Sequence, residues 1–143
     1  MTPATYEDVN LILRLYEMRR EPRMREAREW FVKNLHCRTL AEYNELCPVG
    51  SSANASARQV ITYWEMVASF LTSGVLNEEL FFQSGMELLL VWERVRDVLP
   101  AAREAFHNPG MWKNLEVVAG RFIEYLNRTN PGAYEGFSAR VRR

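Results

Sequence analysis

A chain of 143 residues that is 48% hydrophobic and 25% charged can bury a real core and has the balance of an ordinary soluble globular domain. Its formal net charge of zero excludes whole-molecule attraction to nucleic acid or an anionic membrane, and does little to oppose self-association. No stretch approaches the ~18 apolar residues that cross a bilayer, and the opening Met-Thr-Pro-Ala-Thr-Tyr-Glu-Asp lacks the basic start and apolar run of a signal peptide, so a cytoplasmic protein is expected.

Thr5-x-x-Asp8 has the spacing of a capping box, and a helix is expected from there to about Arg20. Glu7, Asn10, Arg14 and Glu17 form its polar line. Tyr6, Val9, Ile12, Leu13 and Tyr16 form one apolar stripe; Leu11, Leu15 and Met18 form a second on another side. A helix apolar on two sides is either sandwiched within its fold or shared with another chain. Leu11, Leu15 and Met18 are the expected interface.

Pro22 suits the first turn of a second helix, whose face is Met24, Ala27, Phe31 and Leu35 with Trp30 beside them. Thr39-x-x-Glu42 opens a short third helix that Pro48 and Gly50 stop. Ser51-Ser-Ala-Asn-Ala-Ser56 is small and polar and reads as a loop.

Arg58–Ser73 and Asn77–Leu99 then read as two long apolar-rich helices meeting at Gly74. Glycine can take the left-handed conformation that ends a helix. Asn77 can cap the next, with Glu78 and Glu79 in its first turn. So short a link makes the two neighbours, expected antiparallel. The first carries the polar line Arg58, Thr62, Glu65, Ser69, Thr72. The second is expected to expose Gln83, Glu87, Arg94 and Asp97, and to turn Leu80, Leu88, Val91, Trp92, Val95 and Val98 inward.

A short helix follows over Ala101–His107. Asn108-Pro109-Gly110 and Asn130-Pro131-Gly132 suit type II turns on either side of a helix at Met111–Arg128. Tyr134, Phe137 and Val141 suit a last amphipathic turn. Of the 18 basic residues 16 are Arg, and of the 18 acids 16 are Glu, both good helix formers. No alternating run demands a sheet. The expectation is an all-α fold: a single-domain helical bundle over residues 1–143, with about five to seven helices and a central antiparallel hairpin.

The block Arg58–Arg103 resembles a bacterial all-helical family described only as domain of unknown function 4760. The matching text is Arg58, Tyr63-Trp64-Glu65, Ser73-Gly74-Val75-Leu76-Asn77-Glu78-Glu79, Trp92 and Arg103. The resemblance implies a helical fold and no activity, and it leaves the first third and the tail outside.

Glu104-x-x-His107 has the spacing of one half of a helical di-iron site, but the only other histidine, His36, follows Lys33 and the second half is missing. His36, Cys37 and Cys47 lack the paired Cys-x-x-Cys spacing and fourth ligand of structural zinc. No metal and no cofactor are expected. Two His and two Asp leave few ways to build a nucleophile, its base and an orienting group, and no catalytic residue is assigned. Carboxylate chemistry stays open in number: Glu65 beside Trp64 and Glu93 beside Trp92 could line a pocket. Arg19, Arg20, Arg23, Arg25 and Arg28 form a basic patch interrupted by Glu21 and Glu26, less uniform than a phosphate-binding footprint.

These residues favour a non-catalytic helical interaction or structural module with a homo-oligomer or another protein as partner. The alternatives are a ligand-binding or enzymatic bundle around Trp64, Glu65, Trp92 and Glu93, and a nucleic-acid accessory protein using the Arg patch.

Overall fold

The computed structural model describes residues 2–143. Its helices are α1 (Tyr6–Arg19), α2 (Pro22–Asn34), α3 (Leu40–Leu46), α4 (Ser52–Thr72), α5 (Glu78–Phe82), α6 (Met86–Val95), α7 (Leu99–Ala105), α8 (Lys113–Thr129) and α9 (Ala133–Val141). There is no strand among the described residues, so the all-α expectation holds, with nine helices there in place of five to seven.

Local chemistry sets most of the boundaries. The Thr5 amide donates to Asp8 Oδ2 at 2.7 Å, and Thr39 and Ser51 accept the amides of Glu42 and Asn54 at 3.1 Å each. The Ser51 cap overturns the loop expected at Ser51–Ser56: α4 starts at Ser52, because once the cap is made the alanines that follow favour helix. At the other end Gly74 has φ +81°, with Val75 N–H on Phe70 O at 3.0 Å and Gly74 N–H on Leu71 O at 3.1 Å, a Schellman ending. Asn77 Oδ1 then accepts Leu80 N–H at 2.9 Å.

The long helix expected over Asn77–Leu99 is two helices, α5 and α6, with α7 beginning at Leu99. A Cβ on Gly85 would come within 2.4 Å of the Phe81 ring. The ring, itself buried, lies against the bare glycine backbone where α5 stops and α6 begins. Pro100, in the first turn of α7, starts that helix anew because proline cannot continue the α6 amide ladder. The first Pro-Gly turn also differs from expectation. Gly132 has φ +91°, whereas at Asn108-Pro109-Gly110 the left-handed residues are His107 and Trp112, so that turn is not type II.

α4 is the spine. It packs most extensively against α2 and α8, α6 packs on α8 and α9, and α1 touches the body lightly beside α2. Phe31, Leu35, Ile61, Trp64, Leu88, Leu89, Leu115 and Phe122 are among its most deeply buried side chains. An aromatic chain runs Tyr63–Trp64–Phe81–Phe82–Phe122 at centroid spacings of 5.0, 6.4, 6.3 and 4.4 Å.

Candidate functional site

The four residues of the sequence-based pocket go to different places. Trp64 is in the core and donates its indole N–H to Glu87 at 3.1 Å. Glu65 is half-buried and reaches across to the start of α8, accepting Asn114 Nδ2 at 2.7 Å and the Leu115 amide at 2.8 Å. It thus caps a neighbouring helix, and its carboxylate sits at the end where the dipole favours negative charge. Trp92 is half-buried. Glu93 is 1% exposed and accepts the Ser138 hydroxyl at 2.6 Å and the Tyr134 hydroxyl at 3.0 Å, with Arg96 at 3.8 Å. Glu65 therefore holds α8 and Glu93 holds α9.

Two residues of the line expected to face solvent on α6 are enclosed instead. Glu87 takes a two-pronged hydrogen bond from Arg28 at 2.8 Å on each arm, in addition to Trp64. Arg94 is 8% exposed. Its Nη1 donates to the Val32 and Leu35 carbonyls at 3.0 Å and to Phe31 O at 3.4 Å, and its Nε donates to Val141 O. One buried guanidinium thereby closes the carboxyl ends of α2 and α9. Burial pushes it below its ordinary pKa, yet a guanidinium stays charged.

The Arg patch is divided. Arg28 is bound to Glu87, and Arg19 lies 3.6 Å from the same carboxylate with its cation over the Trp64 ring at 5.2 Å. Arg20, Arg23 and Arg25 are exposed. Cys37 and Cys47 are free and buried, and burial raises the Cys37 thiol to about 11. Burial and the nearby Arg94 charge lower His36. Among the described residues no three of His, Cys, Asp and Glu gather as a metal set. An open groove of about 830 Å³ runs between the start of α1, the Gly74–Asn77 link, α5 and α8, and none of Trp64, Glu65, Trp92 and Glu93 lines it. It is crossed by the ion pairs Arg121–Glu78 and Arg128–Glu79. In its wall Asp8 bonds the Thr5 and Asn77 amides, which hold its carboxyl below the ordinary value.

The free chemistry lies on α1, with its two stripes reversed. Leu15, expected at the interface, is 6% exposed and its carbonyl accepts the Tyr63 hydroxyl at 2.5 Å. Leu11 is half-buried against the core, and Met18 alone of that trio is exposed. Of the other stripe Ile12 packs on the core and the rest face solvent: Tyr6 is 80% exposed, Val9 40%, Leu13 54% and Tyr16 53%. Asp8 explains the choice. Its carboxylate must meet the Asn77 amide at 2.9 Å, and Leu15 stands seven residues later on the same face.

A family model described as a domain of unknown function (DUF4760) matches residues 4–122. The match takes in α1 and α2 as well as the Arg58–Arg103 block, so the first third, which the resemblance had left outside, is included. No curated protein and no solved structure matches the chain.

Proposed function

We propose that this chain, which belongs to the DUF4760 family, is a non-catalytic helical docking module of one domain, residues 1–143, whose working surface is the outer stripe of α1. One observation carries the reading. Leu11, Ile12 and Leu15 pack against the core, while four large apolar side chains on the same helix stay in water. An apolar stripe left largely in water, with only the Arg19 and Arg20 cations over the Tyr16 ring, is the usual mark of a protein-contact surface.

The carboxylates support it from the other side. Glu65, Glu87 and Glu93 each bond groups that hold helices together. The antiparallel return after Gly74 belongs to the same reading: Trp64 and Glu87, which bond each other, stand about equally far in sequence from the Gly74–Asn77 link. One buried cluster reaches from Leu15 to Phe137, in favour of a single domain. Among the described residues no helix is long and apolar enough to cross a membrane.

The test compares two neighbouring leucines by urea denaturation at submicromolar concentration, where linkage to association is small. Leu13→Glu is expected to change stability by no more than about 0.5 kcal/mol, and Leu15→Ala to cost about 2–4 kcal/mol. A loss above about 2 kcal/mol for Leu13→Glu would mean that the outer stripe serves the fold, and the docking reading would fall.

A further inference from the structure

The partner of this stripe is a second copy of the chain, and we infer that two α1 helices pair antiparallel, Tyr6 against Tyr16 and Val9 against Leu13 across a two-fold axis. The inference rests on the docking reading above and names its occupant.

Three features select a second copy. The first is spacing. Tyr6, Val9, Leu13 and Tyr16 follow one another at three, four and three residues, the repeat of the a and d positions of a coiled coil. That seam lies away from Asp8 and Leu15, the buried residues of α1. The second is self-complementarity, which a two-fold interface requires because one patch must fit itself. Tyr6 projects at one end of the stripe, the most exposed of its large apolar side chains. At the other end a cleft of about 90 Å³ opens beside Tyr16, floored by Ile12, Leu15, Trp64 and Phe81. Ten residues of helix, about 15 Å, separate projection from cleft. The two-fold axis brings each Tyr6 over the opposite cleft, so both are filled at once.

The third feature is charge. Glu7 and Arg14 follow the a positions and point away from the seam, so the flank beside it is Asn10 and Glu17. In the antiparallel arrangement the two Glu17 side chains stand at opposite ends, no like charges meet across the seam, and the helix dipoles oppose. The chain's zero net charge adds no long-range repulsion. α1 has 14 residues, about 21 Å, and two such faces bury less than ~1,200 Å², the size of weak and reversible pairs. The expected dissociation constant is therefore micromolar rather than nanomolar.

Sedimentation equilibrium of the full chain between about 1 µM and 500 µM tests the pairing in this affinity range. A monomer–dimer equilibrium is expected, weakened at least about tenfold by Leu13→Glu with the melting temperature of the monomer unchanged. Orientation is read by cysteine cross-linking, since Cys37 and Cys47 are buried. Val9→Cys mixed with Leu13→Cys should give the mixed disulfide dimer, and neither variant alone should cross-link. Disulfides within each variant alone would mean a parallel pair and would overturn the register. A monomer throughout, or a dimer indifferent to Leu13→Glu, would overturn self-pairing. If Leu13→Glu is then still neutral to stability, the docking reading stands with a different protein as partner; if it is costly, both fail.

Discussion

Glu93→Ala is expected to release α9 and cost about 2–4 kcal/mol of stability. Glu93 is sealed from water, and its two oxygens accept one hydroxyl each, from Tyr134 and Ser138. Alanine removes both acceptors at once. The Tyr134 and Ser138 hydroxyls then lose the carboxylate they share, and Arg96 loses the carboxylate 3.8 Å away. Phe137, the buried anchor of α9, and the Arg94 bond to Val141 O are left to hold the helix. The loss should show in urea denaturation, with faster amide exchange over Ala133–Val141. Glu93→Gln keeps one acceptor and should cost about half as much. Unchanged stability and unchanged exchange in Glu93→Ala would mean that α9 is held by Phe137 and the Arg94–Val141 bond without help from the carboxylate.

Arg94→Met has the second large expected effect, about 2–4 kcal/mol. Methionine fills a similar volume but offers no donor. The Val32, Leu35 and Val141 carbonyls that Arg94 now serves would face an apolar side chain. Arg94→Lys should recover less than about half of the loss, because an ammonium has no planar fork to reach the ends of two helices together. Full rescue by lysine would show that charge alone is at work. The double substitution with Glu93→Ala should fall short of the sum. Both residues hold α9, so the Val141 bond is already weakened once Glu93 has gone, and mainly the α2 contacts remain for Arg94 to lose.

These two residues also show where the sequence ceases to inform. Caps are local chemistry: Thr5, Thr39, Gly74 and Asn77 act within four residues of themselves, and their roles can be read directly from the text. The core faces of α4 and α8 follow from helical periodicity for the same reason. Burial of a charged side chain is different. Arg94 and Glu87 lie on what reads as a polar line, and charged residues are mostly exposed. Only the arrival of the α2 and α9 ends, and of Arg28, encloses them. Those α2 and α9 carbonyls and Arg28 stand 47 to 63 residues away, beyond any local pattern.

The break at Gly85 has the same origin. A lone glycine within a helical pattern is tolerated, and nothing nearby announces that the Phe81 ring will occupy the space of its missing Cβ. On α1 the sequence offers two stripes of comparable apolarity, and periodicity cannot rank them. The decision is made by Asp8 bonding the Asn77 amide and Tyr63 bonding the Leu15 carbonyl, contacts across 69 and 48 residues. The candidate surface was thus visible as residues, while its direction belonged to the tertiary structure.

That α1 is held by its inner stripe and offered by its outer one is tested most directly by amide hydrogen exchange on the full chain at about 1 µM and about 500 µM, which brackets a micromolar pairing. Protection over Tyr6–Arg19 is expected to rise with concentration, while α4 and α8 keep the same rates. A rise confined to another helix, or no change at either concentration, would contradict it.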